Sequence, residues 1–335
     1  MQKTSILLIG PESDNSSPED QSFAARLAVG PDVTLHHQRF RRDVPDDLER
    51  QVAAWSGKVT GVVGTMRVPE SQLLGELAER LNMVCFVANN NPSVWQQRRN
   101  VFHIGYPTGQ TTGAVADALM RQTGRRRYLM LHDLTEFQTR VAIHTEMRLR
   151  DGGMDARCLA HDAEKPFTPD NGWKPDLIYV VFSSERKALK VIAAVRQSMP
   201  DVPLVLGRSL LRESFLQALR GQPGEFWFVD TNFRNGNRTN EQQTFMRTMT
   251  SHAIALPTTN HAFGWDCMTF CDASLKAGGG DPQRAIAWLE TGVTLEGAGG
   301  GCSFTHDNHN GRHGFGPTVL TNLRHGMLRE QRIDA

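Results

Sequence analysis

Short apolar runs alternate with amphipathic stretches along most of the chain. Ile6-Leu7-Leu8-Ile9 predicts a strand from Thr4 to Ile9 that ends at Gly10-Pro11, and Val33 to His37, Gly61 to Gly64 and Met83 to Ala88 predict three more. Runs this short, apolar without polar alternation, suit strands buried on both faces. Between them lie predicted helices at Asp20 to Leu27, Pro45 to Trp55, and a segment whose Leu73, Leu74, Leu77, Ala78 and Leu81 share a face; Glu12 to Glu19 reads as a loop. Phe102 to Pro107 is extended and leads into a helix from Thr111 to Arg121. A second alternating set follows. Arg127 to Asp133 is a strand, Asp133 and Thr135 supply turn and N-cap chemistry, and Ala142, Ile143, Met147 and Leu149 mark one broad face of a helix. Gly152-Gly153 stops that helix, and Met154 to Ala160 is the next strand. Leu177 to Phe182 is a strand, Ser183-Ser184 caps a helix with Ala188, Ile192, Val195 and Met199 on one face, and Val202 to Leu206, Leu211 to Leu219 and Glu225 to Val229 continue as strand, helix, strand. Helices near Thr239 to Ala253, from Pro257 (Phe263, Cys267, Phe270 and Ser274 aligned) and from Pro282 to Glu290 come next. Cys302 to Thr305 is extended, and Val319 to Arg329 closes the chain with a turn at His325-Gly326. The fold class is α/β: two doubly wound parallel-sheet lobes, each covered by helices on both sides.

The length of 335 residues suits two domains. With 39% hydrophobic and 22% charged residues, the chain has the composition of a core-forming protein. A net charge of +1 leaves no electrostatic footprint for nucleic acid, and Arg125-Arg126-Arg127 reads as a solvated helix end. Five cysteines, an odd and sparse number, suggest reduced thiols packed as small apolar groups. The Ile6 to Ile9 run is too short for a signal-peptide core, and no stretch approaches the roughly 20 apolar residues of a membrane span. The chain as written is expected in the cytoplasm, or in the periplasm if a leader was removed.

Candidate chemistry is sparse. Gly297-Ala298-Gly299-Gly300-Gly301 tempts a phosphate-loop reading, but a helix precedes it and a strand follows, the reverse of the dinucleotide fingerprint. His306, His309 and His313 beside Asp307 lack the spacing of a zinc site on a helix. There is no Gly-x-Ser-x-Gly elbow, and Cys85 lies inside an apolar strand, where a thiol is inert. No metal, cofactor or catalytic residue is expected. What remains is a set of polar loops after strands: Thr65-Met66-Arg67, Asn89-Asn90-Asn91, His132 to Phe137, Ser183-Ser184 and Arg208-Ser209. In open α/β sheets ligands collect beyond the carboxyl ends of strands, and short polar side chains with free N–H groups suit a small polar ligand. Any one of these residues taken alone is more readily a helix cap; as a set from two lobes they point to one shared site.

The order of these motifs resembles the type I periplasmic-binding-protein family, in particular the branch of ABC-importer receptors for branched-chain amino acids, urea and amides. Gly61-Val62-Val63-Gly64, Phe86 to Pro92, Val101 to Pro107, Leu131 to Phe137, Gly264-Trp265-Asp266 and Gly299 to His309 carry the likeness. The resemblance implies lobe 1 at 1–106 plus 233–302 and lobe 2 at 107–232 plus 303–335, joined by a three-crossing hinge with crossings near Pro107, Asn232 and Cys302. It implies ligand contacts at Arg67, Ala88, Asn90, Phe137, Ser183 and Ser209, which join Thr65, Asn89, Asp133, Thr135 and Arg208 from the loop set. The expected function is non-enzymatic capture of a small polar ligand of the amide, urea, amino-acid or organic-acid class. The partner is an ABC permease, or a regulator protein if the chain is a sensor; a homodimer is an option. Phe137 lacks the hydroxyl of the family's usual Tyr, and no acid near Arg208 stands ready for a ligand ammonium. The alternatives are an enzyme on the same sheets and a degenerate lobe pair serving as a scaffold.

Overall fold

The computed structural model describes residues 3–12, 16–64, 68–89, 91–105, 108–168, 172–182, 184–207, 210–231, 238–312, 318–324 and 327–332. The chain separates into two units, Met1–Pro107 with Phe233–Gly316, and Thr108–Asn232 with Pro317–Ala335.

The first unit is built on five parallel strands: β1 (Thr4–Pro11), β2 (Val33–Phe40), β3 (Gly61–Gly64), β4 (Val84–Val87) and β5 (Val101–His103), in the order β2-β1-β3-β4-β5. Helices α1 (Ser16–Leu27), α2 (Asp47–Ala53) and α3 (Val68–Arg80) connect them. Alternate side chains feed two cores. Ile6, Leu8, Val63, Val84, Phe86 and Phe102 pack with residues of a later helix pair, whereas Leu7, Ile9, Val62, Cys85 and Val87 pack against Leu48 and Val52 of α2 and Leu74, Leu77 and Ala78 of α3. Both faces are therefore dry, which is why these strands read as continuous apolar runs.

The second unit repeats the plan. After α4 (Thr108–Thr123), strands β6 (Arg127–His132), β7 (Asp155–Ala160), β8 (Leu177–Val181), β9 (Leu204–Leu206) and β10 (Phe226–Thr231) are linked through α5 (Glu136–Asp151), α6 (Glu185–Ser198) and α7 (Glu213–Leu219). Their order, β7-β6-β8-β9-β10, is the same winding as in the first unit. The chain then runs through α8 (Asn240–Ser251), α9 (Thr259–Ala277), α10 (Pro282–Leu289), β11 (Thr291–Leu295) and β12 (Cys302–Thr305), all in the first unit, and ends with β13 (Thr318–Arg324) and β14 (Met327–Arg332), added antiparallel beside β10 in the second.

Several expectations are corrected here. The first unit takes in the chain beyond Cys302, because β12 pairs with β11 and its Cys302 and Phe304 fill the core shared with α9 and α10. Helix α1 begins at Ser16, so part of the expected Glu12 to Glu19 loop is helical. β11 is a strand absent from the sequence reading. On α5 the buried stripe is Val141, Ala142, Thr145 and Leu149, while Ile143 and Met147 are exposed. The helix is turned this way by its other contacts. Glu146 accepts from Cys158 N (3.1 Å) and Arg150 donates to Ala156 O (3.0 Å), occupying outward backbone groups of β7, the edge strand of its sheet. Edge groups left open would invite pairing with another chain. Ser184 stands at the N-cap of α6 with no side-chain capping bond, and Ser183 lies outside the described residues, so the expected cap is not made by Ser184. The turn at His325-Gly326 also lies outside them. All five cysteines are free, and burial pushes the Cys85 thiol far up, as expected of an inert core thiol.

Candidate functional site

Each sheet reverses its winding once, between β1 and β3 in the first unit and between β6 and β8 in the second. Loops leaving the carboxyl ends of the strands beside such a reversal are where open α/β sheets take ligands. The candidate residues Thr65, Arg67, Asn90, Ser183, Arg208 and Ser209 lie outside the described residues. The backbone of Phe137 is in the first turn of α5.

In the first unit, Ala88 and Asn89 follow β4. Ala88 is buried at 2% exposure, so only its main chain is available to a ligand. This loop is braced from three elements. Gln21 of α1 donates to Ala88 O at 3.5 Å, Ser71 Oγ of α3 accepts from Asn89 Nδ2 at 3.1 Å, and His103 Nε2 meets Asn89 O at 3.1 Å. Asn89 Oδ1 takes the Asn91 N–H, and Asn91 caps the short turn Pro92–Trp95. Gly105 completes the brace: a Cβ there would stand 1.9 Å from Asn89 O. Sequence reasoning missed Gln21, Ser71 and His103. The signal available was small: a histidine inside the apolar Val101 to Ile104 run.

In the second unit, Asp133 and Thr135 bond to each other. Asp133 Oδ1 accepts from Thr135 N (3.2 Å) and Thr135 Oγ1 (2.6 Å), and Thr135 Oγ1 caps α5 by accepting from Gln138 N. Asp133 is buried and Thr135 exposed. These bonds explain why the chain turns there.

The glycine-rich stretch has an internal purpose. Asp266 of α9, fully buried, accepts from Ala298 N at 2.6 Å and Gly299 N at 2.9 Å and is paired with Arg312, whose guanidinium also donates to Gly299 O. A Cβ at Gly297 would lie 2.6 Å from the Asp266 carboxylate, and one at Gly299 would lie 2.6 Å from Arg312. Glycine is required there for close approach to a carboxylate of the chain itself, so these N–H groups are spent within the fold. In the His306 to His313 stretch, His309 is likewise structural. His309 Nδ1 meets Val101 O, its Nε2 meets Glu290, and its ring stacks on Phe102 at 4.3 Å. No group of three or more potential ligands that could hold a metal occurs among the described residues.

His103 is fully buried, and burial lowers its pKa from 6.5 to about 4. The unfolded chain therefore takes up a proton between pH 6.5 and 4 that the fold refuses, and stability present above pH 6.5 is lost as pH falls through that window. The loss should reach roughly 3 kcal/mol. His309, also lowered by burial, adds in the same direction, while Asp266, raised to about 6 by burial, opposes it below pH 6. Urea unfolding of His103→Gln beside the parent at pH 7 and pH 4.5 isolates the first contribution. The variant should lose less stability between the two values; equal losses would refute a buried neutral His103.

No protein-family model matches the sequence, and no curated protein matches it. Solved structures do. A leucine binding protein, LivK, from Thermotoga maritima superposes with a TM-score of 0.77 at 15% identity, over 98% of this chain and 97% of that one. An ABC transporter substrate-binding protein from Sphaerobacter thermophilus gives 0.78 at 15% identity, over 99% and 97%. The fold is the type I periplasmic-binding fold. A solute binding protein of an ABC transporter from Rhodopseudomonas palustris, in complex with p-hydroxybenzoic acid, gives 0.78 at 13% identity, over 99% and 98%. In the type I periplasmic-binding fold seen here, each unit has one winding reversal, with candidate loops at its strand ends. Among the described residues, no helix is long and apolar enough to cross a membrane.

Proposed function

We propose that the protein is a non-enzymatic receptor for a small organic acid, feeding an ABC permease. The observation that supports this most is the repeated winding, β2-β1-β3-β4-β5 and β7-β6-β8-β9-β10, over a chain whose whole length matches substrate-binding proteins. Those in complex hold leucine, isoleucine, benzoate or p-hydroxybenzoic acid, each of which carries a carboxylate. In this reading the candidate contacts are Thr65, Arg67, the main chain of Ala88 and Asn89, and Asn90 in the first unit, and Asp133, Thr135, Phe137, Ser183, Arg208 and Ser209 in the second. An arginine such as Arg67 or Arg208 would take the carboxylate in bidentate fashion, and Phe137 would supply an aromatic contact.

A thermal-shift series with benzoate, p-hydroxybenzoate, leucine, acetamide and urea tests the reading. A carboxylate ligand at one hundred times its Kd should stabilise by about 2.7 kcal/mol, with the ligand recovered unchanged. Arg67→Ala should abolish the shift while leaving the unliganded midpoint in place. A series in which only acetamide or urea shifts the midpoint would replace the organic-acid class; turnover of any compound would end the receptor reading.

A further inference from the structure

The contacts of His103 do not fit a neutral ring. Its Nε2 faces Asn89 O at 3.1 Å, and its Nδ1 faces Asn310 Oδ1 at 3.0 Å. Both partners are oxygens that can only accept. The Asn310 amide is fixed from its other end, because Nδ2 donates to Arg312 O at 3.1 Å. If the ring is neutral, Nε2 keeps the proton for Asn89 O and the Nδ1 lone pair meets an oxygen. Turning the amide gives Nδ1 a donor but sets Asn310 Oδ1 against Arg312 O, a second clash of acceptors. Only the imidazolium satisfies every contact, and the site is built against a charge. His103 is fully buried, the Arg312 guanidinium disfavours a second cation, and Asp266 is already engaged with Arg312. His309, which accepts from His103 N through its carbonyl, directs its ring to Glu290 and Val101 O, so that carboxylate does not reach His103.

We propose that His103 and Asn310 form a proton-controlled latch between the loop after β4 and the segment that follows β12. With the proton on, His103 ties Asn89 O to Asn310 Oδ1, and Asn310 holds Arg312 O. With the proton off, the Asn310 amide turns to donate to Nδ1 and releases Arg312 O. The two states differ by one proton exchanged with solvent and one amide rotation. The latch does not depend on which ligand the protein takes, or on its taking one.

Imidazole and side-chain amide NMR on the full chain, followed from pH 8 to pH 4, tests it. His103 should show the Nε2–H tautomer at pH 8, and the Asn310 side-chain amide should shift with the same midpoint as the His103 ring. Because the buried His103 should weaken the fold in acid, Asn310→Asp carries the decisive arm. A carboxylate facing Nδ1 should raise the His103 midpoint by at least one unit, a tenfold gain in proton affinity, and far-UV circular dichroism reports whether that variant is folded. An Asn310 amide that stays still while His103 titrates overturns the latch, as does a midpoint unmoved in a folded Asn310→Asp.

Discussion

Replacing Arg312 with methionine should destabilise the first unit by about 3–5 kcal/mol, the cost of leaving a buried charge unpaired. Arg312 is 2% exposed and Asp266 not at all, so no water takes over the lost contact. The aliphatic stem of methionine keeps most of the packing against Phe263, over whose ring the guanidinium lies at 5.6 Å, so the loss is chiefly electrostatic. Asp266 would keep only Ala298 N and Gly299 N as donors. The pH dependence gives the sign. Burial already pushes the Asp266 carboxyl up to about 6, despite Arg312 pulling it down. Without Arg312 it rises further. A carboxyl whose pKa is higher folded than unfolded contributes stability below its unfolded value that is lost as pH rises through the folded one. Arg312→Met should therefore be far weaker relative to the parent at pH 8 than at pH 5. Chemical denaturation at the two values checks this; a deficit that does not change with pH would mean Asp266 is not ionised in the parent.

The same residues show where sequence reading succeeds and where it stops. Strands β1, β3, β4 and β8 were visible because a strand covered on both faces must be apolar at every position, and four or five such residues bounded by turn formers have few other readings. β11 was not, since Thr291 to Leu295 is a largely exposed ribbon with no such run. Nor could periodicity choose the face of α5. Ala142 and Leu149 lie on one side and Ile143 and Met147 on another, and the choice was made by Glu146 and Arg150 reaching the edge of β7. The apolar pattern of β12 was clear, but nothing local says which core Phe304 enters. The candidate loops were found by a positional rule, the carboxyl ends of strands, which needs only strand order. Their supports were hidden. His103 and Asn310 are 207 residues apart, and the glycines at 297 and 299 fit around a carboxylate and a guanidinium supplied by Asp266 and Arg312. A glycine-rich stretch looks the same in sequence whether its N–H groups serve a phosphate or an aspartate of the same chain.

Gly264→Ala sets two known effects against each other, and the magnitudes decide the outcome. Alanine in a helix interior gains about 0.5–1 kcal/mol over glycine. Gly264 is where α9 meets α1, and a Cβ there would stand 2.0 Å from Gln21 O and 2.6 Å from Gln21 C. Those atoms are backbone and cannot rotate aside, so the two helices must part by about an ångström, at a cost of roughly 3 kcal/mol or more. The variant should be clearly less stable than the parent. Gly113→Ala in α4 is the control: its Cβ would meet the flexible Arg148 side chain at 3.2 Å, so propensity should win and stability hold or rise slightly. The α1–α9 contact also positions the proposed site. Thr258 at the start of α9 donates to Asp20 of α1 at 2.9 Å, and Gln21 reaches both Asn260 and Ala88 O. Parting the helices withdraws Gln21 from the loop after β4, so Gly264→Ala should weaken ligand binding beyond what its stability loss explains. Hydrogen exchange separates the cases. Protection should fall in peptides covering β1 and β4 while β6 and β8 keep theirs, because α1 and α9 build the first unit's core. Equal protection in parent and variant, with an unchanged denaturation midpoint, would show that the helices part without strain and that the close approach at Gly264 does not hold α1 in place.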